Sequence, residues 1–139
     1  MLLNSNENQA KNVILVVSDG NGIGVNYASR VWKGQKSGGY GDDYVMSYEK
    51  FPHLGLVKTY TVNAMTPDSA GTMTAMMSGI KTRQGVIGLD QDVVRGSCNF
   101  DDKSKATSFA EIAKSRGKMI DIVTTTRITH ATPAAVYAH

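Results

Sequence analysis

Side chains suited to hydrolytic chemistry occur in three separate stretches of the sequence. Asp19 follows an apolar run and opens a glycine-rich stretch. Asp68 and Ser69 stand where a proline-containing loop meets small, helix-compatible residues. His130 and Thr132 lie in a polar stretch near the C-terminus. Carboxylate and hydroxyl oxygens suit Mg²⁺, whereas carboxylate with imidazole suits Zn²⁺, so these residue types favour a metal-assisted reaction.

Ser69 is the candidate nucleophile of this set. At a helix start its hydroxyl meets unpaired N–H groups and the positive end of the helix dipole, which favour an alkoxide and an arriving phosphate oxygen. A serine needs activation by a base or a metal, and no histidine has an obvious partner near Ser69, so a metal is the more economical activator. The alternative is purely structural. Ser69, Asp19 and Thr132 could each be ordinary helix caps, and His130 could be an exposed loop histidine.

Parallel strands would bring the three stretches to one edge of a sheet, because ligands bind outside the carboxyl ends of such strands. The apolar, mostly β-branched run 13–17 predicts a buried strand, and composition predicts two more strands at 54–62 and 119–125. Helices are predicted at 25–32, 68–78 and 104–116, with a further helix starting at 134 behind Thr132 as its N-cap. The turn-rich stretch 85–102 predicts an irregular surface excursion. This order of elements favours a mostly parallel α/β fold.

Composition excludes several classes of protein. A chain of 139 residues that is 41% apolar can fold around a core and is not a disordered protein. The net charge of +3 comes from scattered basic residues, so no nucleic-acid-binding or membrane-surface patch is evident. Cys98 is the single cysteine and can form no internal disulfide. No run is apolar enough to span a membrane, and residues 1–10 predict a flexible segment that is not a signal peptide.

Five stretches resemble alkaline phosphatases, in the order in which that family has them. They are V-S-D-G-N-G at 17–22, P-D-S-A-G-T at 67–72, S-G-I-K-T-R-Q-G-V-I-G at 78–88, F-A-E-I-A-K-S-R-G-K at 109–118 and H-A-T-P-A-A at 130–135. Each alone is a weak signal, but ordered motifs in matching contexts are a strong one. The resemblance implies that residues 11–139 are the N-terminal part of an alkaline-phosphatase-like α/β domain. Its mostly parallel sheet, flanked by helices, would be incomplete in this chain.

The same resemblance implies a role for each candidate residue. Ser69 would attack phosphorus with its oxygen activated by zinc and become a phosphoserine. Asp19 would bridge a zinc and a neighbouring magnesium, and Thr132 would ligate the magnesium through its hydroxyl. His130 would act on the magnesium mainly through water, and Asp68 would help to position the attacking and phosphate-binding groups. The implied cofactors are Zn²⁺ and Mg²⁺, and the implied ligands are phosphate monoesters and inorganic phosphate.

Further expectations concern the whole protein. The resemblance implies a periplasmic or secreted location and is compatible with a homodimer of the full-length protein. The remaining metal ligands and a phosphate-clamping arginine are expected after His139, so the isolated chain should have little activity. One alternative is a catalytically inactive fragment that binds metal or phosphate weakly. Another is a related hydrolase such as a phosphodiesterase, although diesterases more often use threonine as the nucleophile and Ser69 argues against this.

Overall fold

The computed structural model describes residues 10–139, so the predicted segment 1–10 lies outside the described residues apart from Ala10. Regular structure in this part consists of four α-helices: α1 (Ile23–Lys36), α2 (Ser69–Ser78), α3 (Phe109–Ser115) and α4 (Ala131–Ala134). Two short 3-10 helices cover Ser47–Lys50 and Asp102–Ser104. The chain falls into two compact units, divided between residues 56 and 57. No helix of the described part is long and apolar enough to cross a membrane.

Helix α1 belongs to the first unit and is longer at both ends than the predicted range 25–32. It continues to Lys36, where a loop had been expected, because the following chain folds back onto its last turns. A Cβ atom at Gly34 would lie 2.5 Å from the Cα of Gly41, so this close approach requires glycine. Tyr48 supports the same helix, since its hydroxyl donates to the side-chain oxygen of Asn26 over 3.0 Å.

Helix α2 lies at the centre of the second unit and contacts both α3 and α4. Its predicted end at Ser78 is confirmed, with Gly79 in the left-handed conformation (φ 76°) behind the last turn, and it begins one residue later than predicted because Asp68 is the N-cap. Among residues 10–139 the buried hydrophobic core lies in this unit and consists of Ala70, Met73, Met77, Val86, Leu89, Val93, Ala106, Ala110, Ala113, Ala134 and Ala135. The stretch 85–102 was predicted to be a surface excursion, and this was wrong, because three of these side chains form one buried cluster within it.

The later helices differ from prediction at their starts. Helix α3 begins at Phe109 and not at 104, because the Ser108 hydroxyl accepts the Glu111 N–H while the Glu111 carboxylate accepts the Ser108 N–H. Helix α4 has His130 as its N-cap residue and ends at Ala134, so the predicted cap at Thr132 was wrong. Thr132 is instead the second residue of α4.

The mostly parallel sheet is not seen among the described residues. The three predicted strands form no ladder, and the pairing found in residues 10–139 is limited to the isolated bridges Thr61–Ala64 and Leu89–Lys105. Their apolar side chains stay exposed, reaching 88% for Ile14, 93% for Leu54 and 97% for Val123. Composition can favour an extended chain, but a strand also needs hydrogen-bonded neighbours and cover on both faces of the sheet. Neither is present in the described part.

Replacing Gly71 with alanine is expected to lower the free energy of unfolding by about 1–3 kcal/mol, although alanine normally favours a helix. The added Cβ would lie 2.6 Å from Cγ2 of Thr61 and 3.2 Å from the carbonyl oxygen of Arg83. Gly24→Ala in α1 is the matched control, because its Cβ would meet nothing within 4 Å. Urea unfolding followed by circular dichroism measures both variants, and equal midpoints for them would contradict the close packing of α2.

Candidate functional site

Ser69 is the first residue of α2, directly behind its cap. Asp68 is extended (φ −112°, ψ 171°), and its Oδ1 accepts the Gly71 N–H over 3.1 Å. The half-buried Ser69 hydroxyl makes no hydrogen bond to any described residue, and neither do the N–H groups of Ser69 and Ala70. These N–H groups are those that a helix start leaves open, and they give its N-terminus a partial positive charge. The arrangement can therefore receive an anion beside a hydroxyl nucleophile.

Asp68 also connects α2 to the segment 82–91. Its second carboxylate oxygen, Oδ2, accepts the Gly85 N–H over 2.8 Å. The backbone carbonyl oxygen of Asp68 accepts a hydrogen bond from the Thr72 hydroxyl over 2.8 Å, which also stabilises the first turn of α2. Because the two carboxylate oxygens bond N–H groups on different parts of the chain, Asp68 fixes the direction in which α2 leaves the loop. This double contact supports the expected positioning role of Asp68.

The segment 82–91 is held by side-chain hydrogen bonds that local sequence patterns do not reveal. The Asn63 side-chain oxygen accepts the Gln84 N–H over 2.8 Å. The Thr74 hydroxyl, in the middle of α2, accepts the Gly88 N–H over 3.0 Å and is almost fully buried with its residue 1% exposed. Asn63 and Thr74 are thus structural partners of the site that sequence reasoning missed. Both residues lie far in sequence from Gln84 and Gly88, which they contact, so no local sequence pattern indicates this role.

His130 and Thr132 lie at the start of α4, which contacts α2. The His130 Nδ1 atom is buried and has no hydrogen-bond partner, although its residue as a whole is half-buried. A buried ring nitrogen without a partner is costly, and binding a metal ion is one way to satisfy it. Thr132 is half-buried as the second residue of the same helix. The chemistry of His130 therefore fits the metal site that the sequence predicts.

The predicted site residues are divided between the two units. Ser69, His130 and Thr132 lie in the second unit, on two helices that contact each other. Asp19 lies in an exposed turn of the first unit, four residues before α1. Within residues 10–139 no group of three or more His, Cys, Asp or Glu side chains could hold a metal ion. The described residues thus offer individual donors and not a closed ligand set.

Comparison with known proteins identifies the family. The family profile described as alkaline phosphatase matches residues 10–139. The chain belongs to the alkaline phosphatase family. It is 46% identical over 134 residues to the tissue-nonspecific alkaline phosphatase of Gallus gallus and 45% identical to that of Homo sapiens, covering 96% of this chain in each case. It spans about a quarter of the length of these curated relatives (26% of each).

A solved structure supports the same assignment at the level of fold. The alkaline phosphatase from the Antarctic bacterium TAB5 matches 88% of this chain with a TM-score of 0.67 and 32% sequence identity. The match covers 30% of that protein. The described chain therefore has an alkaline-phosphatase-like fold, even though its predicted strands are not joined into a sheet. An enzyme of this family, with metal ions as its general cofactors, is the expected context for Ser69.

Proposed function

We propose that this chain carries the nucleophile and part of the metal site of an enzyme that hydrolyses phosphate monoesters through a phosphoserine at Ser69. The observation that carries the proposal is the start of α2. There a half-buried serine hydroxyl and two open N–H groups lie together behind the doubly bonded carboxylate of Asp68. Family membership supports the same reaction class. In this reading residues 11–139 form part of one α/β domain.

The chain's own residues account for the attack and for part of the charge stabilisation. The Ser69 Oγ attacks phosphorus in line, and the ester oxygen leaves on the opposite side. The N–H groups of Ser69 and Ala70, with the positive end of α2, stabilise the negative charge on the transferring phosphoryl group. Asp68 keeps the helix start oriented during the attack. Water then attacks the phosphoserine, releasing inorganic phosphate and restoring the serine hydroxyl.

Metal ions complete the proposed site. Asp19, Ser69, His130 and Thr132 are the residues that would hold Zn²⁺ or Mg²⁺ in part, and bound metal would polarise the phosphate and make a nucleophile from water at neutral pH. The unpartnered Nδ1 of His130 supports this assignment. The absence of a three-residue ligand cluster from residues 10–139 favours a second candidate for the chain by itself. In that candidate the isolated chain binds metal or phosphate weakly and does not turn over.

Location and assembly belong to the same proposal. A periplasmic or secreted protein, with a homodimer as one assembly of the full-length form, follows from the family resemblance. A relative from Bombyx mori, 44% identical over 131 residues, is named a membrane-bound alkaline phosphatase. That name describes the silkworm protein. For the present protein, membrane attachment is the alternative to secretion, and cell fractionation would distinguish the two.

Trapping a phosphoserine is the direct test of the proposed function. The chain is studied alone and as a chimaera in which it replaces the matched 134 residues of the chicken enzyme. With Zn²⁺, Mg²⁺ and a chromogenic phosphate monoester, the chimaera should turn over, and acid quenching should leave phosphate on Ser69 in the peptide mass spectrum. Ser69→Ala should lower kcat/KM by about 10³-fold or more, whereas the isolated chain should show little activity.

Ser78→Ala provides the matched control for this test. Ser78 ends the same helix, and its hydroxyl donates to the Thr74 carbonyl oxygen over 2.7 Å, far from the cap at the other end. This variant should keep the phosphate label on Ser69. Label on another residue of an active chimaera would refute the nucleophile assignment. Robust turnover by the isolated chain, lost in Ser69→Ala, would refute the second candidate.

A further inference from the structure

An asparagine followed by a glycine lies at the entrance to α1. Asn21 and Gly22 are both exposed and lie between Asp19 and the first residue of the helix. Gly22 is the N-cap residue of α1, with φ −93° and ψ 178°. In the whole sequence Asn21 is the only asparagine that precedes a glycine. Asparagine is a thermolabile residue, and glycine has no Cβ to shield its peptide nitrogen from the neighbouring side-chain amide.

The peptide nitrogen of Gly22 is accessible to that amide. Its N–H donates no hydrogen bond to any described residue. The backbone bonds of this turn run instead from the Asn21 N–H to the Ser18 carbonyl oxygen and from the Asn26 N–H to the carbonyl oxygen of the glycine. A Cβ atom built on Gly22 would meet nothing within 4 Å, so the space beside it is open. Attack by this nitrogen therefore breaks no hydrogen bond within the described chain.

The side-chain amide of Asn21 is held by an exposed contact. Its Nδ2 donates to Oδ1 of Asn26 over 3.0 Å, and the same oxygen accepts the Tyr48 hydroxyl over 3.0 Å. Because the Asn21–Asn26 hydrogen bond is exposed to solvent, water can take the place of either partner at little cost. Departure of Nδ2 from Asn21 therefore leaves no buried polar group without a partner.

We propose that Asn21 is a self-modification site, which deamidates through attack by the Gly22 nitrogen and thereby changes the charge and the backbone beside Asp19. The Gly22 nitrogen loses its proton to hydroxide and bonds to Cγ of Asn21. The bond from Cγ to Nδ2 breaks, and the Nδ2 group takes a proton from water and leaves as ammonia. Water then opens the resulting succinimide ring at either carbonyl carbon, giving aspartate or isoaspartate. The net reaction consumes one water and releases one ammonia.

The two products should affect the first unit differently. Both place a negative charge two residues after Asp19 and remove the donor to Asn26. The first turn of α1 contains no acidic residue, so the aspartate product meets the positive end of the helix dipole and leaves the helix start intact. Isoaspartate adds a methylene group to the main chain between the turn and α1, which moves Asp19 relative to the helix. The consequence for metal binding rests on the proposed function, whereas the deamidation does not.

Peptide mass spectrometry of the 139-residue chain tests the modification. During incubation in mildly alkaline solution, the peptide that contains Asn21 should gain about 1 Da as its amide becomes a carboxyl group. Protein isoaspartyl methyltransferase should then transfer a labelled methyl group to the same peptide. Asn99 is the internal control, because it is exposed in a loop but is followed by Phe100. Its peptide should gain mass about tenfold more slowly, which is about 1.4 kcal/mol in the activation barrier.

Gly22→Ala separates the chemistry from the fold. Its φ suits alanine and the added Cβ meets nothing, so α1 should form as in the wild-type chain. The methyl group shields the attacking nitrogen, so the mass gain at Asn21 should slow by about tenfold. Equal rates for Gly22→Ala and the wild-type chain, or a gain at Asn99 as fast as at Asn21, would overturn the proposal.

The effect on Asp19 is measured in the chimaera after the same incubation. Molecules that carry isoaspartate at position 21 should bind less zinc than fresh molecules, and Gly22→Ala should retain its zinc over the same time. Unchanged zinc content in the isoaspartate form would overturn the proposed effect on Asp19. A missing phosphoserine at Ser69, in a chain whose Asn21 peptide still gains mass, would refute the proposed function and leave the modification site standing.

Discussion

Replacing Asp68 with alanine is expected to lower the free energy of unfolding by about 2–4 kcal/mol, because it removes a helix cap and leaves a partly buried N–H without its acceptor. The carboxylate accepts the Gly71 N–H inside α2 and the Gly85 N–H outside it, so alanine breaks the first turn and its contact with the segment 82–91 together. Urea unfolding followed by far-ultraviolet circular dichroism gives the magnitude.

Two controls separate the contributions of Asp68. Asp68→Ser keeps a capping oxygen for Gly71 but is too short to reach Gly85, so its loss should be about half that of the alanine variant. Asp101 is also an N-cap, but its Oδ1 accepts only the exposed Lys103 N–H over 3.0 Å. Asp101→Ala should therefore cost less than about 1 kcal/mol. Equal losses for Asp68→Ala and Asp101→Ala would show that the Gly85 contact contributes nothing.

Gly88→Ala is expected to lower the free energy of unfolding by about 2–4 kcal/mol, combining backbone strain with overpacking. Gly88 has a φ of 64°, and a Cβ there would lie 2.2 Å from the Ala138 carbonyl oxygen and 2.8 Å from the Cα of His139. The chain after α4 would have to move away, and the buried Ala135 would lose contacts as a result. Thermal unfolding and the amide protection of residues 134–138 should both report this loss.

Gly79→Ala is the matched control for Gly88→Ala. Gly79 has a similar φ of 76°, but a Cβ there would meet nothing within 4 Å. It should therefore show only the conformational cost of about 1–2 kcal/mol. The difference between the two variants isolates the contact of Gly88 with Ala138 and His139. If the two alanine variants unfold at the same temperature, the chain after α4 does not pack on Gly88 in solution.

Helix α2 was predictable because its signals are local. Asp68 supplies the capping oxygen, and Gly79 supplies the left-handed residue behind the last turn. The candidate nucleophile follows from the same pattern, since Ser69 is fixed by its place next to the cap. The start of α3 carried an equally local signal, the S-x-x-E capping box of Ser108 and Glu111, and reading it would have corrected the predicted start at 104.

The other features depend on contacts between residues far apart in sequence. The run 13–17 and the run 119–125 have strand composition, but a sheet forms only where other strands pair with them. The segment 82–91 contains many turn residues, yet Thr74 and Asn63 hold it on α2 and bury Val86. The His130 cap of α4 likewise has no side-chain capping bond that a pattern could reveal. Local composition reports conformational preference and does not report these partners.

The exposed apolar segments have a practical consequence for the isolated chain. Ile14, Leu54 and Val123 each lie in a predicted strand that carries no ladder in the described part, and each residue is at least 88% exposed. Such stretches offer open backbone groups and apolar side chains to any similar stretch in solution, which is how edge strands promote aggregation. The 139-residue chain should therefore be expressed at low temperature and purified at low concentration. Solubilising partners would reduce the formation of inclusion bodies. Without them, aggregation of a variant could be mistaken for loss of its function.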